Sequence, residues 1–363
     1  MTALRALAPT EQVALAAHCT LGVGGPARWF LRATTGDEVN AALSWCAERG
    51  VEPFVIGGGS NLVIADGGWP GLVLQVATRG VGFGSGADDG RVVAAAGEPW
   101  DALVADCVAR GLAGLECLSG IPGSVGGTPI QNVGAYGQEV AETLESVSVI
   151  ERASGRALEL AAAECGFGYR MSRFKREDAA RFVVTAVAFR LRPDGAPKLA
   201  YPELVAAVGG DATPTLATVR AAVLALRRRK GMVLDAADPD TRSVGSFFMN
   251  PVLTNAQHAA LEQVLGLAVP SFITAAGAMK VPAAWLIERA GFAKGTVRGP
   301  VGLSTKHPLA LINRGGATAR ELVAFAGEVQ RTVERRFGIA LRAEPEFVGF
   351  GADPEVAALR GAG

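Results

Sequence analysis

Gly57-Gly58-Gly59-Ser60-Asn61 lies between two apolar runs, Pro53 to Gly57 and Leu62 to Asp66. Consecutive residues without a Cβ let main-chain N–H groups turn toward an anion, and Ser60 and Asn61 add donors, so a phosphate or pyrophosphate would fit here. A tight β-turn explains the same residues. A denser run follows, with Gly120, Gly123, Gly126 and Gly127 set around Ile121, Pro122 and Ser124, and then Gln131, Asn132, Gly134, Ala135, Tyr136 and Gly137. Neither stretch has the strand, GxGxxG, helix order with an acidic residue about 20 positions on, so a Rossmann dinucleotide site has no support. A nucleotide-like ligand held by loops and strand edges fits the glycines, and so does a merely loop-rich fold.

Gly168 to Lys175 places Arg170, Arg173 and Lys175 beside Tyr169 and Phe174, just before an apolar run. That pattern suits a solvated basic edge or an anion contact. Ser246 stands between Gly245 and the pair Phe247-Phe248, where aromatic neighbours could desolvate its hydroxyl against a ligand. The histidines, His18, His258 and His307, lie far from it in sequence, which gives a Ser-His-Asp hydrolase or a histidine metal site little help. Arg227 to Lys230 reads as cations at a helix C-terminus or as a phosphate contact. The cysteines, Cys19, Cys46, Cys107, Cys117 and Cys165, are odd in number and irregularly spaced, so neither a disulfide framework nor a zinc site is expected.

The elements that must position these residues are α+β in character. Strands are expected at 28–34, 53–57, 62–66, 71–76, 91–97, 145–151 and 182–192. Thr35 and Glu38 form a capping box for a helix closed by Gly50, and Pro99 opens another that stops at Gly111. From about residue 211 the character turns helical. Thr213-Pro214 opens one segment and Pro282 to Ala290 makes another. Thr318 and Glu321 cap a third, whose Leu322, Phe325, Ala326, Val329, Val333 and Phe337 recur at helical spacing until Gly338. The chain closes on the strand-like IALRAEPEFVGF.

Composition bounds the rest. The 363 residues are 49% hydrophobic and 19% charged, which excludes a disordered chain. Lys+Arg and Asp+Glu number 35 each, leaving no net field to gather nucleic acid. The N-terminus lacks an apolar leader core, and Phe182 to Leu191 is too short for a bilayer, so a soluble cytoplasmic protein is expected.

In this order, IGGGSN (56–61), SGIPGSVGGTPIQNVGAYGQEV (119–140), YRMSRFK (169–175), GSFFMNP (245–251), AAWLIERAGFAKG (283–295) and EPEF (344–347) resemble the UDP-N-acetylenolpyruvoylglucosamine reductase (MurB) family over nearly the whole chain. Tyr201, in Tyr-Pro-Glu-Leu, resembles the extra tyrosine loop of the family's long form. The resemblance implies an α+β fold with a two-part FAD-binding domain of the vanillyl-alcohol-oxidase-like type, 1–76 and 77–210, and a smaller α+β substrate-binding domain, 211–338. The segment 339–363 would be a C-terminal strand and tail, its strand returning to the second part.

The resemblance also implies the activity: NADPH reduces non-covalently bound FAD, and the reduced flavin passes hydride to the enolpyruvyl ether of UDP-N-acetylglucosamine, giving UDP-N-acetylmuramate for peptidoglycan precursors. FAD would be held by Gly57, Gly58, Gly59, Ser60 and Asn61, and by Gly120, Ile121, Pro122, Gly123, Ser124, Gly126, Gly127, Gln131, Asn132, Gly134, Ala135 and Tyr136. Arg170, Ser246 and Glu346 match the catalytic positions, and Tyr201, Lys230 and Asn250 match substrate contacts. Met249 stands where some members carry lysine, and 234–239 reads Leu-Asp-Ala-Ala-Asp-Pro, a departure from the Pro-Asp-Pro segment of other members. A metal, nucleic acid and membrane are not implied, and a monomer is expected. A flavoprotein oxidase or a non-catalytic nucleotide binder is the rival reading, against which Arg170, Ser246 and Glu346 together argue.

Overall fold

Residues 8–209, 213–274 and 276–361 are described by a computed structural model. Eight α-helices are seen among them: α1 (Gly36–Arg49), α2 (Trp100–Ala109), α3 (Pro202–Val208), α4 (Leu216–Arg229), α5 (Asn255–Leu265), α6 (Ala283–Arg289), α7 (Ala319–Phe337) and α8 (Pro354–Arg360). The described residues divide into two compact units, one drawn from 1–13, 27–59 and 69–233, the other from 14–26, 60–68 and 234–363.

The two larger sheets of the first unit share one core. Trp69–Val76 lies between Pro26–Ala33 and Pro53–Ile56, parallel to both. The parallel connection from Pro26–Ala33 runs through α1, which Thr35 caps by accepting from Glu38 N and which Gly50 ends at φ 61°. The second sheet is antiparallel throughout, in the order Ala157–Ala161, Leu144–Glu151, Phe182–Arg190, Arg91–Ala95, Val81–Phe83. Leu72, Leu74 and Val76 of the first sheet and Val92, Val147 and Phe189 of the second share one buried core with Trp100 of α2. The expected division at 76 therefore has a continuous core on both sides of it.

Helix α4 belongs to this unit, so the boundary expected near 211 falls after Val233. Its apolar face, Val219, Val223 and Leu226, packs with Cys117 and Leu204, and burial of that face outweighs the change in local character at 211. Its first helical residue is Leu216 with Thr215 as cap, two residues later than the Thr213-Pro214 start. Asp101 of α2 pairs with Arg220 of α4 at 2.6 and 2.9 Å.

The second unit is built around α7, whose buried Leu322, Phe325, Ala326, Val329 and Val333 form the stripe read from the sequence. Thr318 and Glu321 make the expected capping box, and the Asp66 carboxylate also accepts from Ala319 N at 2.7 Å and Arg320 N at 3.0 Å. That contact draws 60–68 into this unit although a sequence reading groups it with the first sheet. Leu62–Ile64 pairs in parallel with Glu346–Val348, the part of the closing segment that is a regular strand. The strand Val301–Leu303 pairs with Leu311–Asn313 and packs on α7.

Candidate active site

The glycine loops of the first unit are packed against each other too tightly for side chains. A Cβ on Gly57 would stand 2.2 Å from Ser124 Oγ, and one on Gly58 would stand 2.7 Å from Gly123 Cα. The 123–126 segment is pinned in turn to the start of α2: Trp100 N donates to Gly123 O at 3.1 Å, and Gly126 N donates to Ala96 O at 2.9 Å. Gly120 N donates to Asp101 Oδ1 at 2.6 Å. Gly126 has a structural reason to lack a side chain, since its Cβ would meet Ala96 Cβ at 2.6 Å, whereas a Cβ on Gly127 would meet nothing within 4 Å. Ile121 and Ala135 pack on the apolar core.

The following residues form a two-residue hairpin. Gly134–Ala135 pairs with Gln138–Glu139, and the turn residues Tyr136 and Gly137 have φ of 49° and 81°, the signs a type I′ turn requires. The segment from 168 to 172 is stitched to this region. Arg170 Nη2 donates to Gly134 O at 2.6 Å and Nη1 to Asn132 O at 3.4 Å. Ser172 Oγ donates to Ile130 O at 2.6 Å. The buried Asn132 amide, expected among cofactor contacts, has three partners within the protein: Nδ2 donates to Glu139 at 2.7 Å and Gly168 O at 3.1 Å, while Oδ1 accepts from Ala141 N at 3.1 Å. Gly134 leaves room for the arginine, because a Cβ there would lie 3.1 Å from Arg170 Nη1.

Tyr136 and Tyr201 meet edge to face with centroids 5.5 Å apart, and Lys230 Nζ lies 5.6 Å from the Tyr136 ring. Lys230 also pairs with Glu203 at 2.5 Å. Burial raises the Tyr136 phenol to about 12, opposed by Arg227. Burial lowers the Arg227 guanidinium to about 10, which leaves it charged at neutral pH. Its Nη2 donates to Met232 O at 2.8 Å, and its buried Nε has no partner among the described residues.

Ser246, Asn250 and Glu346 belong to the second unit. The segment after Ser246 runs beside 342–344: Met249 N donates to Arg342 O at 2.9 Å, and Glu344 N donates to Phe247 O at 2.8 Å. Phe247 and Phe248 are buried, as their apolarity demands. Glu346 N donates to Asn61 O at 2.9 Å, and its carboxylate lies 3.5 Å from Arg360 Nη2. Asn250 Oδ1 accepts from Ala283 N at 2.9 Å, capping α6 from outside the helix.

Asp101 and Glu139, which hold the loops just described, and the buried pair Glu116 and Gln138 carry no motif of their own. The local sign for Glu116 is an acid inside the apolar run from Leu115 to Leu118; Asp101 and Gln138 have partners 119 and 22 residues away.

A family model of the UDP-N-acetylenolpyruvoylglucosamine reductase C-terminal domain matches residues 238–348, and one of an FAD binding domain matches 27–161. The chain is 52% identical to the UDP-N-acetylenolpyruvoylglucosamine reductase of Thermobifida fusca over 93% of its own length and 98% of that protein. It is 48% identical to that of Streptomyces coelicolor, covering 95% of this chain and 92% of the relative. The crystal structure of the Thermus caldophilus enzyme (MurB) superposes with a TM-score of 0.65 at 26% identity, over 94% of this chain and 100% of that one. With the glycine loops, the locked arginine and near end-to-end similarity in hand, the chain belongs to the UDP-N-acetylenolpyruvoylglucosamine reductase family.

Proposed function

We infer that this chain reduces the enolpyruvyl ether of UDP-N-acetylglucosamine to UDP-N-acetylmuramate, with NADPH as reductant and FAD as a non-covalent cofactor. The observation that carries this reading is similarity at 52% identity along 93% of the chain, with both the FAD-binding and the reductase C-terminal models matched. The residues present suit the flavin. Gly57 and Gly58 let the two glycine loops close on each other at Ser124 and Gly123, and Gly127 is exposed beside them with no protein atom within 4 Å of its Cβ position, so main-chain groups of both loops can approach a ligand. When bound, FAD would supply the two-electron relay between NADPH and the vinyl carbon.

Hydride addition at the terminal vinyl carbon leaves negative charge on C2, spread into the neighbouring carboxylate. Groups aimed at the place where that charge develops are worth most in a dry site. In the proposed roles, Arg170 stabilises the charge, and its pose is held by two main-chain carbonyls. Glu346 assists by orienting a neighbouring donor. Ser246 gives its proton to C2, for which a weak acid suffices because the enolate is a stronger base. Gly57 to Asn61 and the 120–136 residues named above would bind FAD. Tyr201, Lys230 and Asn250 would hold the UDP-sugar.

The test is an anaerobic half-reaction experiment on purified protein. Its flavin absorbance should bleach with NADPH, and UDP-N-acetylglucosamine enolpyruvate should restore it with formation of UDP-N-acetylmuramate. A protein that bleaches but is reoxidised only by oxygen would overturn the reading in favour of an oxidase.

A further inference from the structure

The loop that ends in Tyr201 is tied down by a buried acid to which the reaction assigns no part. Residues 195–200, between the strand Arg192–Pro193 and the cap of α3, form no helix or strand, so their position depends on side-chain anchors. Glu116 is fully buried, and its Oε1 accepts from Lys198 N at 2.8 Å and from Gln138 Nε2 at 3.3 Å. Its Oε2 accepts from Gly114 N at 2.7 Å. Gln138 is buried too, and its Oε1 accepts from Cys117 N at 3.0 Å. The Cys117 thiol donates to Lys198 O at 3.2 Å, so the Lys198 peptide is gripped by both its N–H and its carbonyl. The hairpin turn comes close on the same loop: a Cβ on Gly137 would lie 3.2 Å from Ala200 Cβ.

These donors to Glu116 are all neutral N–H groups. A carboxylate buried without a cation is costly to desolvate, and alanine or leucine would pack at that position without the cost. What the carboxylate adds is acceptor capacity: two oxygens serve two main-chain N–H groups and an amide at once. An amide at 116 keeps the shape but turns one acceptor into a donor facing Gly114 N or Lys198 N. If the Gln138 amide turned over to compensate, Cys117 N would lose its acceptor.

We propose that Glu116, seconded by Gln138, is a positioning residue for the sugar nucleotide: it fixes the 198–201 loop so that Tyr201 stays edge-on to Tyr136 and meets the UDP-sugar. The proposal rests on the reading above that Tyr201 contacts that substrate. Flavin reduction by NADPH does not depend on it.

The test compares holoenzyme variants in steady state and in the NADPH half-reaction. Glu116→Gln should retain flavin and its NADPH half-reaction within about twofold, while the KM for UDP-N-acetylglucosamine enolpyruvate rises roughly tenfold and kcat changes far less, as expected for one lost buried hydrogen bond. In the Tyr201→Ala background, Glu116→Gln should add less than about twofold, because both act through one contact. A rise in KM for Tyr201→Ala with none for Glu116→Gln overturns the proposal alone. An unchanged KM for Tyr201→Ala overturns the reading on which it rests. Fully additive effects place Glu116 outside the Tyr201 contact and also overturn it. Should Glu116→Gln lose flavin or fail to fold, a loop pair decides: Lys198→Ala keeps the N–H that Glu116 accepts and should hold KM, whereas Lys198→Pro removes it and should raise KM. Equal KM values in that pair would overturn the proposal.

Discussion

The Arg170 guanidinium donates to the Gly134 carbonyl at 2.6 Å, and Gly134 lacks the side chain that would stand 3.1 Å from the same guanidinium. Arg170 holds a left-handed backbone, φ 53°, and so does Asn132, φ 46°. Such conformations cost on the order of 1 kcal/mol or more each and persist where the surroundings over-determine them. Here Asn132 does so, since its amide joins Gly168 O to Glu139 and Ala141 N.

Asn132→Ala keeps both carbonyls that Arg170 contacts but unties Gly168, two residues before it, and should therefore loosen the arginine. We expect a loss of about 1–3 kcal/mol in stability from the orphaned buried groups. Reoxidation of reduced flavin by the enolpyruvyl substrate should slow by about 10²-fold or more, with NADPH reduction little changed. Stopped-flow spectroscopy separates the two, and equal slowing of both half-reactions would remove Arg170 as the focus of the effect.

In its proposed role Ser246 offers a cleaner division, because proton delivery to C2 would belong to the second half-reaction only. Ser246→Ala should bleach with NADPH at close to the wild-type rate, while reoxidation falls by at least about two orders of magnitude. Ser246→Cys should recover part of the loss. If Ser246→Ala slows both steps alike, the serine is structural and the proton has another source.

Two glycines of the candidate flavin loops should respond differently to a single methyl. Gly58→Ala pushes a Cβ to 2.7 Å from Gly123 Cα, backbone against backbone, and should lose both flavin and thermal stability. Gly127 has open space around its Cβ position and sits in a 3₁₀ turn, so Gly127→Ala should keep the apoprotein's Tm or raise it, by up to about 1 kcal/mol of stability, while weakening flavin binding. Titration of the two apoproteins with FAD, alongside calorimetry, checks the contrast; an unchanged FAD Kd in Gly127→Ala would show that this glycine does not face the cofactor.

Asp101 links Gly120 N to Arg220, and its carboxyl lies below the ordinary carboxylate range although burial alone would raise it, because Arg220 and Gly120 donate to its charged form. A depressed folded pKa contributes stability above the unfolded value of about 4 and loses it as pH falls through the folded value. Asp101→Asn should cost about 1 kcal/mol at neutral pH, a figure reduced for partial exposure of the pair. The gap to wild type in urea unfolding should close as pH falls below about 4, and a pH-independent gap would refute the linkage.

Tyr136 gives the opposite sign. Its phenol is raised by burial to about 12, so the stability tied to the neutral form is present below the unfolded value of about 10 and is lost as pH climbs toward the folded one. Tyr136→Phe should flatten the alkaline limb of a denaturation profile above about pH 10. A limb as steep as wild type would assign it to another group.

The local elements and the kind of chemistry were legible along the chain. Caps at Thr35 and Thr318, the stop at Gly338 and the apolar stripe of α7 are written in neighbouring residues, since helix ends and amphipathic faces are settled within a few positions of chain. The ordered motifs around Gly57, Gly123, Arg170, Ser246 and Glu346 were legible for the same reason. Which residues hold those motifs emerges in the folded molecule. Asp66 caps a helix that starts 253 residues later, Glu116 grips a peptide 82 residues away, and Asp101 reaches Arg220 across 119. Helix α4 likewise looked like the start of a new helical domain and joins the first unit, because its buried face finds Cys117 and Leu204. Pairings of this kind depend on which surfaces meet after collapse and on the requirement that each buried polar group find a partner. Neither condition leaves a periodic or local trace in the chain, which is why the ties from Asn132 to Gly168 and Arg170 are seen only in the fold.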